Sequence, residues 1–585
     1  MTEIYKGKVI VIKNWCVRNK YSIFTVLLVL CFCGYNIAKN YGFVLFPDEF
    51  GYWTYAAALA GYDWSDIVSL GSYYSYGYSL ILFPIFMLCK DAVVAYRVAI
   101  AVNFLLLGVC FFLVKRMIGR LFSYIKENEQ IFFAAIVVFY PSWLFYARTT
   151  LAEILIVTLC IGICYLFYEY LEHNRLSTLL LLVLMLVYIH FVHMRTVAVL
   201  IAGVMTLLLY NLTKRRRMKQ GILVFVVTLA VFIVGYLLKE RITGNFYTTS
   251  DTVNTNDYAG QVGKFAYMLT KEGFVNFVIS VAGKVLYLGV ASFGLAYWGI
   301  WFACKRIFEG IQNWKEKKEI TTDKWFCLFI LLATIGATLI NAIYTVHPGR
   351  VDSLVYGRYH EYIMPVLMIL GLAEIGRCTK LVRGIVISLV SEAVMTGMVA
   401  WSLYTYGTTN IHGYMMVGMS YMHGIGEYEP IRLYWMALGL GAVLTIVVTL
   451  GIRWISRHKN MEILFIIILA VEMALAIRAG SLYLDGSARG AYRDTKIAER
   501  IEQLQETTER DIYYLHDGDY ALISILQFML RDADIHIIQE NNMLEETLQS
   551  EDLLLLDYRN PLAEEIEESY ENYLVNGHFI LYYND

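Results

Sequence analysis

Long apolar runs recur along most of this 585-residue chain, and they constrain its fold more than any other feature. A helix that crosses a bilayer needs about 20 predominantly apolar residues, and runs of this kind begin at Tyr21. Hydrophobic residues make up 58% of the chain and charged residues only 17%, whereas a soluble domain has roughly 45–50% and about 25%. The sequence therefore predicts an α-helical polytopic membrane protein.

The predicted membrane domain covers residues 1–480 and contains about thirteen transmembrane helices. We place them near residues 21–38, 92–114, 131–147, 150–170, 178–193, 196–212, 221–238, 281–303, 325–345, 361–376, 385–404, 433–452 and 462–479. Lys and Arg concentrate in alternate connecting segments, namely 115–126, 214–217, 305–324, 377–383 and 453–459. Because cytoplasmic loops carry this excess, the N-terminus is predicted to be cytoplasmic, in a multi-pass protein of the plasma membrane.

Residues 481–585 have a different character. Charge rises, and apolar stretches between Asp511 and Tyr583 alternate as strand and helix. This rhythm predicts a small α/β domain, which the orientation places on the extracytoplasmic side. The domain has no Gly-rich phosphate loop, and the net charge of −2 gives no indication of a nucleic-acid partner.

Two adjacent carboxylates, Asp48 and Glu49, lie in the first outer loop, residues 39–91, just after the first predicted span. Acidic side chains beside hydrocarbon are costly and tend to mark function. A carboxylate at the lipid–water boundary could serve as general base in an enzyme with a lipid-linked substrate. The alternative is that Asp48 caps the following helix by accepting from its free backbone N–H groups. Such a cap would also fix the geometry of a functional carboxylate.

Charged residues recur at later points on the same predicted face. Arg148 and Glu153 could form a mutual ion pair, or Glu153 could face a cavity and orient a substrate. Arg195 could bind a phosphate, or it could extend its charge to the lipid headgroups. His190 and His193 are spaced so that they could ligate a metal, but no third ligand is evident, and no metal site is predicted.

A polar segment at residues 347–361 precedes the tenth predicted span. Arg350 or Arg358 could hold a lipid phosphate through bidentate hydrogen bonds. Tyr359 and His360 would then enter the membrane edge beside them. The alternative is an ordinary interfacial loop.

These segments, in this order, resemble the GT-C superfamily of polyprenyl-phosphate-sugar glycosyltransferases. Within it they resemble the family 39-like branch of protein O-mannosyltransferases and aminoarabinose transferases. The residues that carry the likeness are Phe46–Gly61, Tyr76–Pro84, Ala95–Val98, Tyr146–Glu153 and Gly357–Tyr359. The resemblance implies that Asp48 is the catalytic carboxylate, with Glu49 beside it. It also implies an outward-facing cavity with Arg195 and Arg358 near the lipid phosphate.

The predicted function is transfer of a sugar from a polyprenyl-phosphate donor to an extracytoplasmic acceptor, with inversion and with Asp48 as general base. The acceptor would be an envelope glycan, a lipid or a protein, and no cofactor is expected. A lipid-linked oligosaccharide polymerase or ligase is the first alternative. A transporter or flippase is the second, and it would favour charges near mid-membrane. The residues predicted to bind substrate are Glu153, Arg195, Arg350, Arg358, Tyr359 and His360.

Overall fold

The computed structural model describes residues 19–45, 47–71, 74–213, 217–243, 262–348, 351–407, 413–422, 430–457, 462–506, 510–516, 520–538, 551–567 and 569–584. The first α-helices are α1 (Lys20–Ile37), α2 (Asp48–Ala60), α3 (Ser65–Ser69), α4 (Ser79–Leu88), α5 (Ala92–Leu121), α6 (Glu127–Val138), α7 (Pro141–Tyr146), α8 (Glu153–His173), α9 (Leu176–Val192), α10 (Val197–Thr213) and α11 (Met218–Thr243). The later ones are α12 (Val262–Met268), α13 (Lys271–Ala291), α14 (Leu295–Lys315), α15 (Thr322–Thr345), α16 (Met364–Arg377), α17 (Leu381–Tyr406), α18 (Pro430–Ile455), α19 (Glu462–Tyr483), α20 (Asp485–Gln505), α21 (Ile523–Met529) and α22 (Ala563–Glu567).

Within these ranges, 10 helices are long and apolar enough to cross a membrane, which confirms a multi-pass membrane protein. The three other predicted spans correspond to shorter helices. The span near 131–147 is divided into α6 and α7, because Pro141 starts a new helix. The spans near 178–193 and 361–376 are α9, with 17 residues, and α16, with 14.

The predicted continuous span at 281–303 is wrong in one respect, because the chain turns in its middle. Helix α13 ends at Ala291 and α14 begins at Leu295. Between them, Phe293 has φ 53° and Gly294 has φ 82°, both in the left-handed region. The apolar run continues through this turn, so hydropathy alone could not reveal it.

The C-terminal domain holds the predicted sheet. Its strands are β1 (Ile512–Leu515), β2 (Ile535–Ile538), β3 (Leu553–Asp557), β4 (Asn572–Asn576) and β5 (Phe579–Tyr583). Their order is β2-β1-β3-β5-β4. Strand β1 is parallel to β2 and β3, whereas β5 is antiparallel to β3 and β4.

The C-terminal domain packs against the first loop through α21 and the residues that follow it. The ring of Phe528 lies 4.6 Å from that of Phe43 and 4.9 Å from that of Trp53, centroid to centroid. Arg531 donates hydrogen bonds to the carbonyls of Phe86 and Cys89. The loop that carries the two carboxylates is therefore held between the membrane helices and the sheet domain.

Candidate active site

Helix α2 positions the first carboxylate. Pro47 occupies the N-cap position and Asp48 is the first helical residue, with no side-chain cap hydrogen bond. The capping alternative for Asp48 is therefore wrong. Two acidic residues in the first turn still suit the positive end of the helix dipole.

Glu49 is buried away from the cavity described below. Its side chain has no exposed surface, and five hydrogen bonds end on it. Oε1 accepts from the backbone N–H groups of Val44 and Leu45 at 2.8 and 2.7 Å. Oε2 accepts from the backbone and hydroxyl of Thr150 and from the hydroxyl of Tyr96. Three of these partners are backbone N–H groups, which can only donate, so Glu49 anchors the loop to the turn before α8.

Asp48 belongs instead to a network of buried charges. Glu153 Oε1 accepts from Arg195 Nη2 at 2.9 Å and from Arg358 Nε at 2.5 Å. Arg358 also pairs with Asp48 through Nη1. The side chains of Arg358 and Glu153 are 2% and 3% exposed, whereas that of Asp48 is 28% exposed. Asp48 is therefore the accessible end of the network.

The charges in this network support one another. Burial opposes the charge on Arg358, but Glu153 and Asp48 raise the pKa of its guanidinium well above the usual value. Two arginines and two carboxylates give the group a formal charge of zero, which is the condition for keeping it out of water.

Arg195 has unused hydrogen-bonding capacity. Its side chain is 5% exposed, and in the part of the chain that the structure describes, its Nε and Nη1 atoms have no hydrogen-bond partner. A buried donor without a partner costs about 1–3 kcal/mol. An anionic ligand in the adjacent cavity would satisfy these atoms.

Tyr74 completes the surroundings of Asp48. Its hydroxyl donates to Asp48 Oδ1 at 2.5 Å. Burial and the neighbouring carboxylate of Asp48 raise the pKa of Tyr74, so the phenol keeps its proton. Gly51 makes this contact possible, because a Cβ at that position would lie 2.0 Å from the Tyr74 ring.

A cavity of about 210 Å³ opens beside the network. It is lined by Asp48, Tyr74, Ser75, His193, Met194, Arg195, Val197, Phe265, Ile340, Asn341, Ile343, Tyr344, Arg358 and Tyr359. Sites for drug-sized ligands usually measure about 300–1,000 Å³. This volume suits a small headgroup rather than a long chain.

Tyr359 forms an aromatic wall beside the two arginines. Its ring centroid lies 4.7 Å from the guanidinium carbon of Arg195 and 5.9 Å from that of Arg358. The rings of Tyr344 and Tyr356 pack against it at 5.1 and 4.7 Å. The aromatic face therefore stabilises the positive charge without using the N–H groups.

Not every residue that the sequence singled out lines this cavity. His360 is fully buried, with Nδ1 2.7 Å from Asn341 Nδ2 and Nε2 3.1 Å from the Lys284 carbonyl oxygen. Arg350 lies outside the described residues. His193 lines the cavity, but His190 stacks on Phe232.

The suggested ion pair between Arg148 and Glu153 is wrong. Arg148 Nη2 instead lies 2.7 Å from an oxygen of Asp485, the first residue of α20. This bond links the turn before α8 to the start of the C-terminal domain. Glu153 remains free to hold the two cavity arginines.

Among the described residues, Asp66, Asp534 and His536 form an exposed group with ligand atoms within 4.8 Å of one another. They join the first loop to β2, and none of them lines the cavity near Asp48. Such exposed groups are common without a bound ion, so we assign it no role.

Several cavity residues had no signal in the sequence. Asn341 and Tyr344 end an ordinary apolar helix, and Phe265 comes from α12, which no pattern singled out. The chain has 46 tyrosines, and nothing in the sequence distinguishes Tyr74 from the others. Only the fold brings these side chains to Asp48.

No protein-family model matches this sequence, and no curated protein matches it. Solved structures do match. The crystal structure of ArnT from Cupriavidus metallidurans in the apo state aligns with a TM-score of 0.51 and 14% identity, over 97% of this chain and 98% of that chain. The structure of the same protein bound to undecaprenyl phosphate aligns with a TM-score of 0.50 and 13% identity, over 96% and 98%.

This chain has the fold of ArnT. The alignment covers nearly the whole of both chains, so the membrane helices and the C-terminal domain are both included. The expected GT-C-like fold class is thereby confirmed. At 13–14% identity the likeness extends to the fold alone.

Proposed function

We propose that this protein is a membrane glycosyltransferase that transfers a sugar from a polyprenyl-phosphate donor to an acceptor outside the cytoplasm. The observation that carries the proposal is the buried network of Glu153, Arg195 and Arg358, which ends on the accessible carboxylate of Asp48. It combines one proton acceptor with two cations beside a single small cavity. Such a pair of functions suits displacement of a phosphate from a sugar.

Asp48 would act as the general base. It removes the proton from the incoming hydroxyl or amine while that atom attacks C1 of the sugar from the face opposite the phosphate. The bond from C1 to the phosphate oxygen breaks, and its electron pair leaves with the polyprenyl phosphate. The phosphate needs no protonation to leave, so one carboxylate is enough, in contrast to the pair in a glycosidase.

Arg195 and Arg358 would stabilise the charge of the departing phosphate. The free Nε and Nη1 atoms of Arg195 supply donors that the protein itself leaves unused within the described residues. Arg358 is paired with Asp48 in the structure. Contact with the donor phosphate would draw Arg358 away from Asp48 and release the carboxylate as a base at the moment when the donor is in place.

The choice of donor rests on the membrane fold and on the two arginines that line the small cavity. The similar protein ArnT has been solved with undecaprenyl phosphate bound, and a lipid phosphate is the anion that the two arginines would meet. In this proposal the protein lies in the plasma membrane with its N-terminus in the cytoplasm. The cavity and the C-terminal domain then face an envelope glycan, lipid or protein acceptor.

The test uses purified full-length protein with radiolabelled polyprenyl-phosphate sugars and crude envelope acceptor. Replacing Asp48 in an Asp48→Asn variant removes the base, and we expect transfer to fall by about 10²-fold or more. Asp66→Asn is the matched control, because Asp66 lies in the same loop with a side chain 48% exposed and outside the cavity. Wild-type turnover in Asp48→Asn would overturn the assignment of the base.

A further inference from the structure

A second cavity lies at the opposite end of the membrane helices. It measures about 830 Å³ and contacts α15 at Asp323 and Phe326, whereas the cavity near Asp48 contacts the same helix at Asn341 and Tyr344. Asp323 and Tyr344 are about 30 Å apart along the axis at 1.5 Å per residue. That length equals the thickness of a bilayer core. The two cavities therefore face opposite membrane surfaces, and no residue lines both.

Positive charge dominates the rim of this second cavity. Lys305 lies 3.5 Å from Glu374, and Arg306 lies 3.6 Å from Asp323, so two of its cations are paired. Arg377, Lys380 and Arg383 complete the set. They are exposed, and in the described ranges none of the three forms an ion pair with a carboxylate. The rim thus carries a net charge of +3.

Aromatic rings hold two of these rim cations in place. The guanidinium carbon of Arg377 lies 3.0 Å from the ring centroid of Tyr124, and that of Arg383 lies 5.9 Å from the ring of Trp301. Contact with a ring face stabilises a guanidinium while its N–H groups stay available for an anion.

The cavity also presents apolar side chains beside its charged rim. Its wall includes the half-buried Leu121 and Trp301, and Phe302, which keeps 8% of its surface exposed. A freely soluble anion would gain nothing from such a wall. An amphiphile with an anionic headgroup matches both the cationic rim and the apolar side chains beside it, and a volume of about 830 Å³ is within the usual range for ligand sites.

We infer that this cavity binds the phosphate headgroup of an anionic membrane lipid from the leaflet opposite Asp48. Basic pockets between transmembrane helices recognise such headgroups by charge. The high Lys and Arg content of this end places it at the cytoplasmic leaflet, where anionic lipids concentrate. The inference is independent of the proposed glycosyl transfer, because it uses none of the residues near Asp48.

The experiment measures lipid binding to delipidated full-length protein in detergent by native mass spectrometry, at about 0.15 M ionic strength. The probes are short-chain phosphatidic acid, short-chain phosphatidylcholine and inorganic phosphate. The test variant is Arg377→Gln/Lys380→Gln/Arg383→Gln. The matched control is Lys315→Gln/Lys317→Gln/Lys318→Gln, which removes the same charge from exposed positions at the end of α14 that do not line the cavity.

We expect saturable binding of phosphatidic acid to wild type and control, and binding roughly tenfold weaker or more in the test variant. Phosphatidylcholine should not compete. The site would be overturned if the test variant bound phosphatidic acid as well as the wild type, or if the control variant lost as much binding as the test variant. Competition by phosphatidylcholine as strong as that by phosphatidic acid would also overturn it. Displacement by inorganic phosphate at the same concentration would overturn the lipid as its ligand.

Discussion

Two carboxylates on either side of one peptide bond occupy opposite environments in this protein. Asp48 forms the accessible end of a charge network beside a cavity, whereas Glu49 is fully buried under five hydrogen-bond donors. Successive residues of a helix point about 100° apart, so α2 turns one carboxylate to the cavity and the other to the loop. Proximity in sequence therefore gives no common role.

The two carboxylates differ in whether the groups around them are available to a ligand. The cavity region, made of Asp48, Tyr74, Glu153, Arg195 and Arg358, keeps donors and an acceptor available for a ligand. The environment of Glu49 leaves nothing available, since each carboxylate oxygen already accepts at least two hydrogen bonds. Substitutions should accordingly affect chemistry in the first region and stability in the second.

The largest loss of stability is expected at Glu153. This residue belongs to the cavity region, but like Glu49 it is buried, and it pairs with two buried arginines. Glu153→Ala leaves Arg195 and Arg358 buried without the carboxylate that pairs with both of them. Breaking a buried ion pair in this way costs on the order of 3–5 kcal/mol. Denaturant titration of the wild type and the variant in detergent would measure this difference in the free energy of unfolding.

The control is Glu153→Gln, which keeps an acceptor oxygen and should lose less. Unchanged stability in Glu153→Ala would mean that water or another carboxylate compensates the arginines, and the network would not be a structural unit.

Glu49→Gln tests the other side of the comparison. In the variant, the amide N–H group faces hydrogen-bond donors that face a carboxylate oxygen in the wild type. We expect the free energy of unfolding to fall by about 1–3 kcal/mol. Transfer activity per folded molecule should stay close to that of wild type. Thermal melting and a transfer assay on the same preparation would measure both quantities. Intact stability together with an activity loss as large as that of Asp48→Asn would assign Glu49 to the chemistry after all.

Tyr74→Phe should have the smallest effect. The substitution removes the hydroxyl that donates to Asp48 Oδ1, while Arg358 still holds the other oxygen. We expect the transfer rate to fall about three- to tenfold with little change in stability, because water can replace a donor at a partly exposed carboxylate.

Two further variants sharpen the result for Tyr74. Gly51→Ala should act in the same direction, because its Cβ would displace the Tyr74 ring. Tyr62→Phe is the control, since that ring packs on Phe86 outside the cavity. A transfer rate in Tyr74→Phe equal to that of wild type would show that Asp48 needs no orientation by the phenol.

Much of the fold could be predicted from hydropathy, because burial in lipid imposes long apolar helices. The pattern failed at the turn around Gly294, where the apolar run continues through two residues with positive φ. It also failed at Pro141, where one predicted span divides into two helices. Hydropathy reports the length of an apolar run but not the backbone direction within it.

The candidate site was predictable in part. Asp48, Glu153, Arg195, Arg358 and Tyr359 do meet at one place. Asp48 lies in the first predicted outer loop, and the other four lie close to the end of a predicted span. Their pairing was not predictable, as the partner of Arg148 illustrates. The roles of these residues in transfer stay predictions.

By itself, the sequence determined a helical membrane protein with a small sheet domain, since apolar content and strand-length runs leave few other ways to bury the chain. Only the tertiary structure decided which charges meet. Glu153 and Arg358 are 205 positions apart, and Arg358 and Asp48 are 310 apart. Contacts across such separations depend on how helices pack against one another, and no local pattern of residues encodes that packing.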